Sequence, residues 1–457
     1  MHTGACAQIA AAALAALLGG TTLSWVKAAA AQDAWQTEVT SEHVRSEAPA
    51  DTSIVPGVPL ETGAVQPRVP QATAVVIANA ASLTGGPERT SFTLSLSKGV
   101  TAEVFTLANP YRVVVDLPDV AFDLAPEVGR TGTGLVRAFR YGLFAEGKAR
   151  IVLDASGPVK IEKAVMSALP GSSRVALQID LAPTAAESFG DGTGAKRQTP
   201  PSLKPQVSDD AVPQQRKGHK PVIVIDPGHG GIDAGAVGVS NLLEKSLVLA
   251  AGLELRRALV STGRYDVRMT RSSDVFIPLD SRLKLCRTLG ADLFISLHAD
   301  SLEQKLLAQT VRGATIYTLS ERASDEQARL MAEKENATDL LAGIDAGESH
   351  AGDQVKGILI DLMKRETSNF STEFSNLLVA RLRKSVPLSR DPQRFAAFKV
   401  LKQTYAPAVL VELGYMSNND DEKLLNSPDG QRQVAQSVAA AVDTYFSRQT
   451  ARAGERR

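Results

Sequence analysis

Four motifs in the C-terminal half of the chain contain histidine or glutamate, side chains that can bind a metal ion or transfer a proton. His229 and His298 each follow an apolar run typical of a buried strand, Glu244 opens a helical pattern, and Glu412 ends the run Val409-Leu-Val. Buried parallel strands deliver their last residues to the carboxyl edge of a sheet, where α/β proteins place their sites. We therefore expect these four side chains to lie together, although they are far apart in sequence.

Three of these residues, His229, Glu244 and His298, form a candidate metal site. Two imidazoles and one carboxylate are the ligands of a catalytic zinc whose fourth position stays open to water. Zinc is favoured over magnesium or calcium because two of the ligand atoms are nitrogens. A single histidine at a strand end is more often only hydrogen-bonded, so it is the combination of all three residues that indicates one zinc ion.

Glu412 is a candidate general base. It follows three apolar residues, where a carboxylate is costly unless it is paired or functional. As a base it would take a proton from zinc-activated water and return it to the leaving amine. The alternative is a structural glutamate that only accepts hydrogen bonds from backbone amides at the strand end.

Glycines surround the first histidine. Asp226-Pro227-Gly228 is a sequence typical of a turn. Gly230 and Gly231 leave the space beside His229 free of side chains. This composition suggests that a large substrate approaches the backbone closely at this point.

The elements that must position these residues alternate between strands and helices from residue 221 to 448. This order predicts an α/β domain with a twisted, mostly parallel sheet flanked by helices. The apolar runs predict strands at 221–225, 265–269, 292–297, 313–318 and 408–412. The helical periods predict helices at 244–262, 279–289, 323–342, 354–384, 420–426 and 429–448.

The N-terminal half has a different pattern. Residues 91–183 alternate apolar and polar side chains in short runs separated by Gly, Pro and Asp, which predicts a small all-β sandwich. Residues 32–90 have the composition of a disordered tether. Residues 184–220 contain almost no large apolar side chains, so they are expected to be a linker that lets the two domains act at a distance from each other.

Composition limits the partners and the compartment. With 457 residues the chain is expected to hold two domains. Its 50 basic residues are balanced by 50 acidic residues, which argues against nucleic acid or an anionic membrane as the main partner.

Residues 1–31 resemble a signal peptide, although no Lys or Arg precedes residue 9. The apolar run is too short for stable membrane insertion. Cys286 lies in a helical pattern and is expected to be a buried apolar residue.

The four motifs resemble those of the zinc-dependent N-acetylmuramoyl-L-alanine amidases of the cell-division type. That family shows Asp-Pro-Gly-His-Gly-Gly, a following Glu, Ser-x-His-Ala-Asp, and a late Glu before a Ser-Asn turn, here Ser417-Asn418. The resemblance covers residues 221–448 and implies zinc ligands at His229, Glu244 and His298, with Glu412 catalytic. It also implies cleavage of the amide between N-acetylmuramic acid and L-alanine in peptidoglycan.

The resemblance implies targeting and regulation as well. The sandwich at 91–183 is similar to the AMIN domain, which is thought to bind peptidoglycan and to carry such enzymes to the division septum in the periplasm. The alternative is an inert spacer.

In the same family a helix inserted in the catalytic domain, here about 321–350, blocks the zinc with a carboxylate until a LytM-type activator protein displaces it. Glu335 is the candidate blocking residue, with Glu333 and Glu321 as competitors. Ser324 is expected to cap this helix. The alternative is a solvated amphipathic helix with ordinary surface charges.

Two other functions remain open from the residues alone. The same metal site could serve a zinc carboxypeptidase or a deacetylase acting on another wall polymer. The chain could also be a wall-binding scaffold without catalytic activity, although the presence of all three ligands and Glu412 argues against this alternative.

Overall fold

Residues 75–189 of the computed structural model form a sandwich of two sheets. The described residues of the whole chain are 75–189, 220–301, 311–344, 357–403 and 405–455. The expected signal peptide and most of the expected tether and linker lie outside them. The sandwich strands are β1 (Val76–Gly85), β2 (Thr90–Leu96), β3 (Glu103–Leu107), β4 (Arg112–Pro118), β5 (Val120–Phe122), β6 (Val136–Ala145), β7 (Lys148–Ala155), β8 (Val159–Ala168) and β9 (Val175–Pro183).

The two sheets have the orders β5-β1-β2-β9-β8 and β3-β4-β7-β6. Phe92, Leu94 and Leu96 alternate with half-buried polar residues along β2, and all three are fully buried in the core between the sheets. This alternation is what the sequence predicts for a sandwich strand. The predicted tether is too long at its C-terminal end, because β1 begins at Val76 and pairs with β2.

The C-terminal domain is a six-stranded sheet between layers of helices. Its strands are β10 (Val222–Pro227), β11 (Asp266–Met269), β12 (Leu293–His298), β13 (Ala314–Leu319), β14 (Leu388–Ala396) and β15 (Ala408–Glu412). Its helices are α1 (Glu244–Ser261), α2 (Leu279–Leu289), α3 (Glu326–Asn336), α4 (Thr338–Leu341), α5 (Gly357–Leu382), α6 (Asn419–Asn426) and α7 (Pro428–Glu455).

The sheet order is β11-β10-β12-β15-β13-β14, and every neighbouring pair is parallel except β13 with β15. The prediction of a twisted, mostly parallel α/β sheet is therefore confirmed. Ile223 and Ile225 face a core shared with α1, α5 and α7, whereas Val224 faces a second core with α2 and α3. Cys286 lies in that second core and is 1% exposed, as its helical pattern predicts.

Three local predictions differ from the structure. The predicted helix 323–342 is two helices, α3 and α4, joined at Ala337. The side chain of Asp325 caps α3 by accepting a hydrogen bond from Ala328 N, so the prediction of Ser324 as the cap is wrong. Strand β14 was not predicted, because its sequence is polar and contains Pro392; it lies at the edge of the sheet, where proline is tolerated.

The two domains touch each other, contrary to the expectation that the linker separates them. Both belong to one unit, Ala72–Arg457. Phe105 and Val152 of the sandwich share a buried apolar cluster with Ile232 and Phe276 of the α/β domain. Within the described ranges, no helix is both long enough and apolar enough to cross a bilayer.

Candidate metal centre

His229 follows β10 in a loop with a left-handed backbone. Its φ is 58°, and two buried arginines hold the carbonyl groups of this loop. Arg282 Nη2 donates to His229 O at 2.8 Å, and Arg271 Nη2 donates to Gly228 O at 2.7 Å. Arg282 also forms a buried ion pair with Asp226, at 2.6 Å between Nη1 and Oδ1. The loop conformation is thus fixed by charged groups beneath it.

The glycines beside His229 make room for other parts of this same chain. A Cβ on Gly231 would lie 1.8 Å from Leu143 O of the sandwich, and a Cβ on Gly230 would lie 2.2 Å from Val275 O. The interpretation that both glycines leave space for a substrate is therefore wrong. Their absent side chains allow two neighbouring segments to pack against the histidine loop.

His229, Glu244 and His298 converge at the carboxyl edge of the sheet. Glu244 Oε1 lies 3.1 Å from His229 Nε2 and 3.2 Å from His298 Nδ1. The two imidazole rings are 4.8 Å apart between centroids and inclined by 74°. The structure thus brings together the three residues that the sequence predicts as metal ligands.

Glu244 is held as an anion at the first turn of α1. Its Oε2 accepts from Ala236 N and its Oε1 accepts from Ala299 N, each at 2.8 Å. Burial raises the pKa of this carboxyl, but His229 and His298 outweigh burial and hold its pKa well below the usual value. A fully buried carboxylate with this environment is suited to a cation.

Asp233 orients His229. Its Oδ2 lies 2.7 Å from His229 Nδ1, which directs Nε2 of the same ring towards Glu244. Burial lowers the pKa of His229, but the carboxylates of Asp233, Glu244 and Glu335 outweigh it and raise the pKa well above the usual value. A histidine whose second nitrogen pairs with a carboxylate is the usual arrangement of a metal ligand.

The donor set fits a zinc ion. His229 Nε2 and His298 Nδ1 are buried and have no hydrogen-bond partner among the described residues. Buried nitrogens are rarely left without a partner, and here both lie within 3.2 Å of the same carboxylate oxygen. Two imidazoles and one carboxylate leave a fourth tetrahedral position for water or substrate.

Glu412 lies directly beside the candidate ligands. It ends β15, where the strand register pairs it with His298 of β12. Its Oε2 accepts from Asp300 N at 2.9 Å, while its Oε1 is buried without a hydrogen-bond partner in the described part of the chain. Burial, followed by the charges of Asp300, Glu244 and Glu335, raises its pKa well above the usual value. A carboxylate whose pKa is raised is a stronger base than an ordinary glutamate.

The inserted helix α3 places Glu335 in the same centre. Glu335 Oε2 lies 3.5 Å from His229 Nε2 and 3.4 Å from His298 Nδ1. Ligand atoms of these three residues all lie within 4.8 Å of one another. The two competing residues are elsewhere: Glu333 pairs with Arg329 on the exposed side of α3, and Glu321 is exposed.

A small number of contacts hold α3 over the centre. Its buried face consists of Ala328, Met331, Ala332 and Glu335. Lys334 forms an ion pair with Asp300. Asn336 Nδ2 donates to Ala397 O at 2.9 Å, and Asn336 Oδ1 accepts from Lys399 N at 2.6 Å. Glu335 and Asn336 also line the small cavity beside the two histidines.

Sequence reasoning missed the residues that support the ligands. Asp233, Arg271 and Arg282 are buried and bonded to the His229 loop. The signal available for Arg271 was its position just after the short strand β11, at the same sheet edge as the histidines. Arg282 lies in an amphipathic helix, where an arginine is ordinarily exposed, so its pattern gave no signal.

Comparisons with known proteins place the two domains in described families. A family model for "N-acetylmuramoyl-L-alanine amidase" matches residues 223–444, and a model for "AMIN domain" matches residues 82–181. N-acetylmuramoyl-L-alanine amidase AmiC of Escherichia coli O6:H1 is 31% identical over 378 residues, covering 78% of this chain and 87% of that protein.

Another relative and a solved structure are also similar to this chain. The protein of the same name from Neisseria meningitidis serogroup B is 31% identical over 374 residues, covering 78% of this chain and 87% of that protein. The solved catalytic domain of the amidase CwlV from Bacillus (Paenibacillus) polymyxa var. colistinus is 27% identical, with a TM-score of 0.35, and the match covers 50% of this chain and 98% of that domain.

Proposed function

Since the chain belongs to the cell-division type of N-acetylmuramoyl-L-alanine amidase, with an N-terminal AMIN domain, we propose that His229, Glu244 and His298 hold one zinc ion and that Glu412 is the catalytic base. The enzyme hydrolyses the amide between N-acetylmuramic acid and L-alanine in peptidoglycan. The observation that carries the proposed ligand set is the pair of unpartnered imidazole nitrogens directed at one oxygen of Glu244.

The residues divide the reaction between them. Zinc, when bound, supplies the Lewis acid that activates water and polarises the amide carbonyl. Oε1 of Glu412 takes a proton from the attacking water. Glu412 then returns this proton to the amide nitrogen, so that L-alanine leaves with a free amino group. Asp300 N fixes the other oxygen of Glu412, which leaves Oε1 as the proton acceptor.

The inserted segment makes the proposed resting state inactive. Glu335 occupies the position beside both histidines that substrate would need, and α3 covers the cavity around it. A wall hydrolase that is free to act would damage its own cell, which gives the inserted helix a clear regulatory purpose. A LytM-type activator protein is the proposed partner that displaces the helix.

Export and targeting complete the proposal. The chain is proposed to reach the periplasm through residues 1–31, which lie outside the described residues, and to act at the division septum. The sandwich, as an AMIN domain, is proposed to bind peptidoglycan and to keep the enzyme at its substrate.

Digestion of purified sacculi tests the reaction directly. We expect the full chain, with its helix displaced or its Glu335 replaced, to release intact stem peptides with a free L-alanine amino group, as identified by mass spectrometry. A carboxypeptidase would instead shorten the stems, a deacetylase would leave them attached to glycan, and a scaffold would release nothing. Removing zinc with a chelator is expected to abolish release, and adding zinc is expected to restore it.

Replacing Asp233 with asparagine is expected to weaken zinc binding. The change removes the carboxylate that orients His229, and loss of such a group typically lowers metal affinity ~10- to 100-fold. The measurement is a competition titration of the purified chain against a chromophoric chelator. Asp266→Asn, which alters an exposed carboxylate paired with Arg268 on β11, is the matched control. Equal affinities for Asp233→Asn and the unaltered chain would contradict the orienting role.

A further inference from the structure

We propose that the outer face of the four-stranded sandwich sheet is an interaction surface for residues 340–343 at the end of α4, which we call the end of the inserted segment. We further propose that this contact holds the blocking helix α3 in the metal centre. This inference rests on the proposed blocking role of Glu335 and adds the element that secures the helix. The docking face, as we name it, consists of Phe105, Leu107, Arg112, Val114, Arg150 and Val152.

The docking face is distinct from the core of the sandwich. Ile151 and Leu153 of β7 point into that core, whereas Val152 between them points outward. Val152 is nevertheless 0% exposed, because Ala342 and the α/β domain cover it. An outward apolar face that is completely covered by another domain contributes to the stability of the contact rather than to the fold of the sandwich.

Two buried arginines on this face bind the end of the inserted segment. Arg150 Nη1 donates to the carbonyl oxygens of Ala342 and Gly343, each at 3.2 Å, and Arg112 Nη1 donates to Leu340 O. A hydrogen bond from a charged guanidinium to a carbonyl oxygen is stronger than one from a neutral donor. These bonds therefore fasten the C-terminal end of α4 to the sandwich.

Contacts within the sandwich itself hold Arg150 in place. Its Nε and Nη2 bond both oxygens of Asp116, at 2.6 and 2.8 Å, and its guanidinium carbon lies 3.5 Å from the centroid of the Phe144 ring. A guanidinium held on two sides loses little further freedom when Nη1 binds a carbonyl. The docking face is thus a preformed site for backbone carbonyls surrounded by apolar side chains.

The fastened end is close to the blocking residue. Helices α3 and α4 are joined only by Ala337, so Leu340 follows Glu335 by little more than one helical turn. Gly343 permits the approach, since a Cβ there would lie 3.3 Å from methyl groups of Val114 and Val152. Displacing this end removes a support of α3, whose own buried apolar side chains are small except for Met331.

The sandwich also contacts the loop of the proposed ligand His229. Leu143 O accepts from Ile232 N at 3.2 Å and from Phe276 N at 3.3 Å. The same domain therefore touches both the metal-binding loop and the blocking segment. A ligand that moves the sandwich away from the α/β domain therefore weakens the contacts that hold α3. Because the two equilibria are linked, release of α3 in turn exposes the docking face.

Hydrogen–deuterium exchange of the full chain tests the proposal. We compare the double variant Arg112→Ala/Arg150→Ala and the single variant Val152→Glu with the unaltered chain. Because hydrogen bonds from charged groups and a buried apolar contact are lost, amides of α3 and α4 are expected to exchange ~10- to 100-fold faster. Arg137→Ala, at an exposed arginine on β6, is the control and is expected to leave exchange unchanged. Unchanged exchange of α3 in both docking-face variants would overturn the proposal.

Exchange of β2 in the same samples reports whether the sandwich remains folded. If β2 loses protection in a variant, Ala342→Glu replaces it, because this change puts a larger, charged side chain into the cluster with Val114 and Val152 without altering the sandwich. Unchanged exchange of α3 in Ala342→Glu would then count against the proposal.

Digestion rates separate this inference from the proposed function. If Glu335→Gln accelerates digestion and the docking-face variants change neither rate nor exchange, blocking stands and the docking role is overturned. Faster exchange of α3 in those variants, with no acceleration by Glu335→Gln, supports the docking contact and contradicts blocking by Glu335.

Discussion

Replacing Glu412 with glutamine is expected to slow the release of stem peptides from sacculi by ~10²- to 10⁴-fold, the usual contribution of a general base. Glutamine keeps the size of the side chain and can still accept from Asp300 N, but it cannot take a proton from water. The measurement is the initial rate of release, with the zinc content of the same sample determined in parallel.

The zinc content distinguishes a base from a ligand. We expect Glu412→Gln to retain its metal, because the proposed ligands are His229, Glu244 and His298. Glu422→Gln is the matched control, since Glu422 is also buried but bonds Ser240 away from the candidate ligands. Retention of full activity by Glu412→Gln would refute the assignment, and loss of zinc would indicate that Glu412 serves the metal instead.

The arrangement of the candidate site was accessible from the sequence because strand ends are a strong constraint. His229, His298 and Glu412 each follow an apolar run, and parallel strands carry such residues to one edge. The pairing of His298 with Glu412 in the strand register was not predicted and is seen only in the structure. Glu244 could be added because it opens the helix that returns from β10. These inferences required only local patterns and one rule of topology.

Other features depend on packing between distant segments, which local patterns do not encode. The sequence around Gly231 is the same whether its missing side chain makes room for a substrate or for another domain. In the structure it makes room for the carbonyl oxygen of Leu143 in the sandwich. Likewise, Val152 lies in an apolar run, and the sequence does not show whether its outward side chain faces water or another domain. Arg150, lying in a strand, gives no sign that it is buried against carbonyls of the inserted segment.

The position of the inserted helix bears on the proposed control of the enzyme. Glu335 is buried among carboxylates, and burial followed by the charges of Glu244 and Asp300 raises its pKa despite the two histidines. Several contacts besides Glu335 hold the helix, including those of Lys334 with Asp300 and of Asn336 with Ala397 and Lys399. Modest contacts can be exchanged for those of an activator without unfolding the domain.

Glu335→Gln is accordingly expected to raise the basal digestion rate, in the absence of any activator, by ~10-fold or more, which corresponds to a shift of ~1.4 kcal/mol between blocked and open states. The change removes the negative charge that faces the two histidines but keeps the shape of the side chain. The measurement is the initial rate of stem-peptide release from sacculi by the full chain at a fixed zinc concentration.

Glu333→Gln is the matched control for this result, because it makes the same chemical change on the exposed side of α3, where Glu333 pairs with Arg329. We expect it to leave the basal rate unaltered. If both variants accelerate digestion equally, the cause is a general weakening of the helix and not release of the metal centre. If Glu335→Gln is no faster than the unaltered chain, the carboxylate does not block the site, and the inserted helix acts by covering the cavity alone.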